Sequence, residues 1–192
     1  MNDKIISIIS TYEKDGDFMG GVNEDTIKEA ADMLNITFPS SYHWFLKQYG
    51  SGRLDGMDIH GCETKAADSS VVYHTKLYRE TYSLPEQYIV LNDIDGTVTC
   101  LDTNQMKDGE CPVVFWSRFL KELYAITYEN FNEYLLDSLQ ETVDNLYIEE
   151  TYPKWKNKEI TGVQFMALLE LKKNTFYKII KEYEIILNQN QL

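Results

Sequence analysis

The segment 38–52 reads Phe38-Pro-Ser-Ser-Tyr-His-Trp-Phe-Leu-Lys-Gln-Tyr-Gly-Ser-Gly52, and it decides the fold more than any other stretch of the 192 residues. Pro39 favours the start of a helix, and the side chains of Ser40 and Ser41 are candidate caps for it. Four apolar residues at positions i, i+3, i+4 and i+7 share one helical face: Tyr42, Phe45, Leu46 and Tyr49. A Gly-Ser-Gly sequence ends the helix. The segment therefore predicts a short amphipathic helix that packs into a core and contains no catalytic motif.

The composition predicts a folded and strongly acidic protein. Apolar residues make up 43% of the chain and aromatic residues 13%, and the formal net charge is −13. A protein with this charge repels nucleic acid overall and attracts basic partners. No apolar run approaches the length of a transmembrane helix, and the N-terminal sequence lacks the features of a signal peptide. Cys62, Cys100 and Cys111 are odd in number and far apart, so we expect reduced thiols in a cytoplasmic protein.

The charge is unevenly distributed along the chain. Residues 1–150 contain 11 basic and 27 acidic residues, whereas residues 151–192 contain seven lysines and four acidic residues. The first part therefore carries a formal charge of −16 and the second part +3. This asymmetry suggests two surfaces with different partners.

Helices are predicted at both ends of the sequence and strands in the middle. The predicted helices outside segment 38–52 and the C-terminal tail span residues 4–12, 24–34 with Asn23 as N-cap, 69–82 and 128–139. A loop is predicted over 16–22, and two short extended pieces with glycine breaks over 53–62. The predicted strands span residues 88–91, 97–101 and 112–116, and the tight turns between them favour an antiparallel meander. This order predicts an α+β domain with a central meander sheet, flanking helices and a C-terminal helical extension.

Several motifs resemble the SUKH superfamily in their order and spacing. The Phe-Pro-x-x-Tyr-x-x-Phe-Leu and Tyr-Gly-x-Gly sequences within 38–52 are similar to the N-terminal signature of that superfamily. The other similar sequences are the strand pair 89–91 and 99–103, the Asn-x-Met-Lys-Asp-Gly-Glu-Cys-Pro-Val-Val sequence of 104–114, which resembles YobK-like toxin-immunity proteins, and the closing helix with Phe131, Tyr134 and Leu135. The resemblance covers residues 1–140, which we expect to form one domain. Residues 141–192 would form the helical extension.

The resemblance implies a protein-binding module that is not an enzyme and needs no cofactor. Bacterial members of the superfamily are mostly immunity proteins, which bind and neutralise toxins deployed between competing cells, and these toxins are often nucleases. Eukaryotic relatives regulate cell-wall glucan synthesis through protein contacts. The expected partner is accordingly a cognate toxin, and the alternative is a regulatory role.

The acidic charge agrees with a nuclease-type toxin as the partner. A nuclease presents a basic surface to hold phosphates, and an acidic inhibitor is steered quickly onto such a surface. The candidate toxin-binding residues are the acidic residues in turns around the predicted sheet: Asp93, Asp95, Asp102, Asp108 and Glu110. The alternative interpretation is that these are ordinary solvated turn residues.

The tail carries a second resemblance. Residues 152–184 resemble the C-terminal helix-turn-helix of serine recombinases, with Thr161 capping a helix to about Leu169 and a second helix from Lys173 or Asn174 to about Leu187. The second helix of such a motif enters the DNA major groove. The candidate DNA-contacting residues are Lys172, Lys173, Asn174, Thr175, Tyr177 and Lys178. Glu170 occupies a turn position at which recombinases usually have glycine, and the recombinase catalytic domain is absent, so packing against protein is the alternative role.

Patterns of enzymes and metal sites are weak in this sequence. The sequence Asp93-x-Asp95-Gly96-Thr97 after an apolar strand resembles the first motif of haloacid-dehalogenase-type phosphatases. Another strand follows at once, so a hairpin turn explains the same residues. The three histidines are isolated, and no set of His, Cys or Asp residues has the spacing of zinc ligands. We therefore predict no metal site.

Overall fold

The computed structural model describes residues 2–12, 14, 16–54, 56–62, 70–169 and 171–189. The chain divides into two compact units, Met1–Gln140 and Glu141–Leu192. The described helices are α1 (Asn2–Tyr12), α2 (Glu24–Leu34), α3 (Ser40–Tyr49), α4 (Val71–Tyr82), α5 (Phe131–Lys156), α6 (Gly162–Leu168) and α7 (Lys173–Gln189). The described strands are β1 (Gly16–Phe18), β2 (Gly52–Leu54), β3 (Met57–Ile59), β4 (Tyr88–Ile94), β5 (Thr97–Asp102), β6 (Val113–Ser117) and β7 (Glu122–Tyr128).

The central sheet is an antiparallel meander with the strand order β4-β5-β6-β7, and it confirms the predicted α+β class. Three of its strands match the predicted ones. The fourth strand, β7, was not predicted. A second antiparallel sheet has the order β1-β2-β3. The predicted loop over 16–22 is wrong at Gly16–Phe18, because these three residues form a strand that pairs with β2. A strand of three residues is too short to show an alternating pattern in the sequence.

Both faces of the meander are covered by packed side chains. Alternate residues of the strands point to opposite faces, as the two-residue period of a strand requires. One face joins the larger core, to which the sheet contributes Ile89, Leu91, Leu101 and Val113. The other face packs with Tyr78 of α4 in a smaller core, to which the sheet contributes Val90, Val98, Cys100, Val114 and Trp116. All three cysteines are buried and none forms a disulfide bond.

Helix α3 confirms the predicted apolar face of segment 38–52. Tyr42, Phe45 and Leu46 are fully buried, and Tyr49 is half-buried. The ring of Phe131 from α5 packs against the rings of Tyr42 and Phe45 at centroid distances of 5.1 and 5.5 Å. The chain leaves the helix at Gly50 with φ of 69°, a conformation that favours glycine. This segment therefore builds the centre of the larger core.

The predicted capping by Ser40 and Ser41 is wrong. Pro39 occupies the N-cap position of α3, and no side chain of the segment caps the helix. The helix start is instead capped by Glu110, which lies far away in the sequence. The backbone N–H of Ser41 donates to one oxygen of the Glu110 carboxylate at 2.9 Å, and the Ser41 hydroxyl donates to the other oxygen at 2.5 Å. The backbone N–H of Ser40 donates to the Gly109 carbonyl at 2.8 Å. The start of α3 is therefore fixed by the connection between β5 and β6.

The second unit has a small aromatic core of its own. Its buried residues are Ile148 from α5, Phe165 from α6, and Phe176 and Ile180 from α7. The predicted cap at Thr161 is confirmed, since Thr161 and Gln164 form a reciprocal capping box. Helix α5 is longer than the predicted 128–139. It begins after Asn130, whose side chain accepts the N–H of Glu133, and it continues past Pro153 to Lys156.

Candidate protein-binding surface

The five predicted toxin-binding residues lie at opposite ends of the meander. Asp93 and Asp95 lie at the turn between β4 and β5, where Ile94 pairs with Thr97. The other three, Asp102, Asp108 and Glu110, belong to the connection between β5 and β6. That connection begins beside Tyr88, the first residue of β4. Because β5 has six residues, about 17–20 Å of strand separates the two groups. The structure therefore does not bring the five carboxylates together.

The acidic connection, residues 102–112, turns two of its three carboxylates inward. Asp102 is buried and accepts hydrogen bonds from the Asn104 N–H at 3.2 Å and the Gln105 side-chain amide at 2.7 Å. Glu110 holds the start of α3 through Ser41. Only the Asp108 side chain of these three is exposed, at a backbone φ of 51°. Asp102 and Glu110 thus have structural partners, and their binding to a toxin stays a prediction.

Asp93 joins three elements at the other end of the sheet. Its carboxylate forms an ion pair with Arg118 at 2.8 Å, accepts the Tyr78 hydroxyl of α4, and accepts the Gly96 N–H at 2.7 Å. Burial and then the hydrogen bond to Asp93 raise the pKa of Tyr78, so Tyr78 remains a donor over the physiological range. Asp95 is exposed, with φ of 50°, and forms the hairpin turn together with Gly96. This hairpin explains the phosphatase-like residues, because Asp93 organises two turns.

Four exposed apolar side chains occur within six residues of the β6–β7 hairpin. Phe119 is 71% exposed, Leu120 65%, Leu123 42% and Tyr124 72%. We call these four residues the hairpin patch. Large apolar side chains that are exposed together often mark protein–protein contacts, whereas single ones need no explanation. The patch is therefore the strongest binding feature of the first unit.

Sequence reasoning missed the hairpin patch because it missed β7. The pairing of β6 with β7 shifts register between Val113 and Val114 and again between Phe115 and Trp116. Each shift breaks the alternation of side chains by which a strand is recognised. The signal that could have found the patch is the run Phe119-Leu120 beside Leu123-Tyr124, since four apolar residues are unusual in a turn.

The two edges of the meander differ in how well they are covered. At the β4 edge, the His60 N–H donates to the Leu91 carbonyl at 2.8 Å and the Val90 N–H donates to the Thr75 hydroxyl at 3.0 Å. At the β7 edge, the described part of the chain provides no such partner for the backbone of residues 122–125 on its outer side. The β7 edge and the hairpin patch thus form one accessible region.

His60 is a buried polar side chain beside the β4 edge. It is 6% exposed, its ring stacks on the His74 ring at 4.0 Å, and its Nδ1 atom has no hydrogen-bond partner among the described residues. Burial, with a smaller contribution from the charge of His74, lowers the pKa of His60 to about 3. His60 is therefore neutral at physiological pH.

The predicted DNA-contacting residues cluster at the start of α7. Lys172, Lys173, Thr175 and Tyr177 are exposed, and Lys178 is exposed with its ammonium group 3.9 Å from Glu182. The side chain of Asn174 and the whole of Glu170 lie outside the described residues. The second unit contains seven lysines and eight acidic residues, so its formal charge is −1. The positive charge of 151–192 is thus offset by acidic residues of α5, and DNA binding stays a prediction.

Two other kinds of site are absent from the described part of the chain. No group of three or more His, Cys, Asp or Glu side chains there could hold a metal ion. No helix there has both the length and the apolar content needed to cross a membrane.

Comparison with known families matches the first unit. The family model SUKH_5, described as SMI1-KNR4 cell-wall, matches residues 1–140, which is most of the chain and the same range as the first compact unit. The match confirms the superfamily predicted from the motifs of segment 38–52 and of 104–114, which the structure joins by the hydrogen bonds between Ser41 and Glu110. Membership is consistent with a toxin-immunity role and with a protein partner. The chain belongs to the SUKH_5 family.

Proposed function

We propose that residues 1–140 form an immunity domain that binds a protein toxin and neutralises it without catalysis. The observation that carries the proposal is the SUKH_5 match over those residues. Inhibition would be stoichiometric, with the bound domain covering the substrate-binding surface of the toxin. The proposal includes a cytoplasmic location, supported by three buried cysteines that form no disulfide bond.

The charge of the domain supports a basic, nuclease-type toxin as the partner. Residues 1–140 contain 11 basic and 23 acidic residues, a formal charge of −12. A field of this size accelerates association with a cationic protein, and the effect weakens as salt is added. The proposed acidic contacts are Asp95 and Asp108, whose side chains are exposed. Asp93, Asp102 and Glu110 would contribute charge while keeping their structural partners.

The experiment that tests the proposal looks among the genes beside that of this chain for a secreted toxin and expresses that toxin together with the full chain. Co-expression with the full chain is expected to restore growth of cells that produce the toxin. The doubly reversed variant Asp95→Lys with Asp108→Lys is expected to bind the toxin more slowly at low salt, by about tenfold, and at a similar rate at high salt. An unchanged association rate of the double variant at low salt would show that Asp95 and Asp108 are not contacts. Failure of the wild-type chain to protect the cells would contradict the proposed function itself.

A second candidate function is DNA association through residues 141–192, which we infer to be a separate domain. The observation that favours it is the set of exposed lysines at the start of α7, where a recognition helix presents its contacts. Reversal of Lys172 and Lys173 to Glu should abolish DNA retardation under this function and leave toxin protection intact under the first. DNA binding that does not weaken with salt would contradict it.

A third possibility is a regulatory protein contact rather than a toxin. The family description names SMI1-KNR4 cell-wall proteins, and a regulator would use the same kind of protein-binding surface. The toxin co-expression experiment separates the two, because a regulator confers no protection.

A further inference from the structure

We propose that the hairpin patch is the anchor by which the SUKH domain docks on its protein partner, and that the partner presents an apolar pocket with a cationic rim. This inference rests on the proposed immunity function and names the part of the surface that carries it. It also replaces the acidic turns as the main source of affinity, and leaves them the role of steering the partner.

The hairpin exposes large side chains that would ordinarily be buried. Phe119 and Tyr124 are each more than two thirds exposed. By contrast, the Trp116 side chain on strand β6 of the same hairpin is only 1% exposed. Aromatic residues are enriched among those that carry most of the binding energy of an interface. The hairpin thus presents two rings and two leucines that can enter a pocket.

Phe119 and the turn that carries it are held in place before any partner binds. The Arg118 guanidinium pairs with Asp93 and lies 5.1 Å from the centroid of the Phe119 ring. The Phe119 ring also packs so closely on Gly96 that a side-chain carbon at that position would overlap it. The Arg118 N–H donates to the Gly96 carbonyl at 3.0 Å, and the Lys121 N–H donates to the Ser117 carbonyl at 2.8 Å. A fixed anchor loses little conformational entropy on binding.

The irregular pairing of β7 favours one mode of binding over another. A partner could in principle add a strand to the open β7 edge. The two register shifts in β7 interrupt the ladder within seven residues, and shifts of this kind twist an edge strand away from such pairing. Recognition through side chains is therefore favoured over strand addition. Tyr124 lies at one of these shifts and is the most exposed residue of the patch.

The charge around the hairpin patch indicates the charge of the partner. The exposed carboxylates of Asp95 and Glu122 flank the patch, and neither forms an ion pair with a described residue. Lys121 is also exposed, but the domain as a whole carries −12. A second copy of this chain would be repelled by that charge, whereas a basic protein would be attracted. The occupant is thus a cationic protein with an apolar pocket.

The test measures binding of the full chain to a purified toxin domain from which the full chain protects cells in the co-expression experiment. The variant Phe119→Ser with Tyr124→Ser is expected to lose about 30-fold or more in affinity, the loss typical of hot-spot residues. The control is Met33→Ser with Tyr73→Ser, which removes two large apolar side chains that are exposed on other surfaces (48% each) and should change affinity by less than about twofold. Circular dichroism and thermal unfolding check that both variants remain folded.

The outcomes separate the inference from the proposed function. If the wild-type chain binds and the Phe119→Ser, Tyr124→Ser variant binds equally well, the anchor is elsewhere and the immunity function stands. If the wild-type chain does not bind, both fail. Hydrogen exchange gives a second measurement that needs no variant, since amides of residues 117–125 should gain protection in the complex. Protection confined to 102–112 would overturn the inference.

Discussion

The acidic connection and the hairpin patch show opposite relations between side-chain chemistry and exposure. The connection carries charged residues, yet Asp102 and Glu110 turn inward and hold Gln105 and Ser41. The hairpin carries Phe119 and Tyr124, yet both side chains face solvent. Buried polar groups and exposed apolar groups are the informative exceptions in a folded protein. The comparison teaches that the charged turn serves the fold, whereas the apolar turn is available for a partner.

The largest difference in stability is expected between alanine variants of two aromatic residues of the β6–β7 hairpin. Trp116→Ala is expected to lower the free energy of unfolding by about 4 kcal/mol, because it leaves a cavity in the smaller core. Phe119→Ala should lower it by less than about 1 kcal/mol, because the ring is already exposed. Urea unfolding monitored by circular dichroism measures both. Equal losses would break the comparison by showing that Phe119 belongs to the core.

The next largest difference in stability is expected between alanine variants of two aspartates at the β4–β5 turn. Asp93→Ala is expected to lower the free energy of unfolding by about 3 kcal/mol, since it leaves Arg118, Tyr78 and the Gly96 N–H without their shared acceptor. Asp95→Ala provides the control, and a loss of about 1 kcal/mol is expected there because its φ is positive. A larger loss at Asp95 than at Asp93 would contradict the structural role of Asp93.

A smaller effect should appear in the acidic connection. Glu110→Ala is expected to lower the free energy of unfolding by about 2 kcal/mol, because the hydrogen bonds to the start of α3 are charge-assisted. Asp108→Ala, two residues away and exposed, is the control, and a loss of about 1 kcal/mol is expected there because its φ of 51° is also positive. Chemical denaturation of both variants measures the difference. If the two variants are equally stable, the connection is a solvated loop and its carboxylates are open to a toxin.

The smallest effect concerns acid sensitivity. The pKa of His60 is about 3 in the folded chain and about 6.5 in the unfolded chain. Below pH 6.5 the unfolded chain binds a proton that the folded chain does not. The free energy of unfolding therefore falls as the pH is lowered, and the loss is about 1.4 kcal/mol at pH 5.5. His60→Phe keeps a ring to stack on His74 and should remove this part of the pH dependence. An unchanged pH profile would show that His60 is not the source of this acid sensitivity.

The sequence was most informative where the interactions are local. The apolar face of α3 and the helix cap at Thr161 depend on residues that are close in sequence, and both were predicted. The roles of the carboxylates depend on distant partners, since Glu110 and Ser41 are 69 residues apart and Asp93 and Arg118 are 25 apart. Periodicity contains no record of such pairs. Strand β7 escaped prediction for a different reason, because its register shifts break the alternation.

The start of α5 has a consequence for the order in which the domain can fold during synthesis. Phe131 and Leu135 complete the core that begins with Ile5 of α1, and the Asn132 side chain donates to Asn2, 130 residues earlier, at 2.8 Å. A nascent chain that lacks these residues leaves the rings of Tyr42 and Phe45 without their partner. The ribosome therefore releases the earlier helices and strands before their core can close. Any chaperone that protects this protein should act on nascent chains that do not yet contain Phe131.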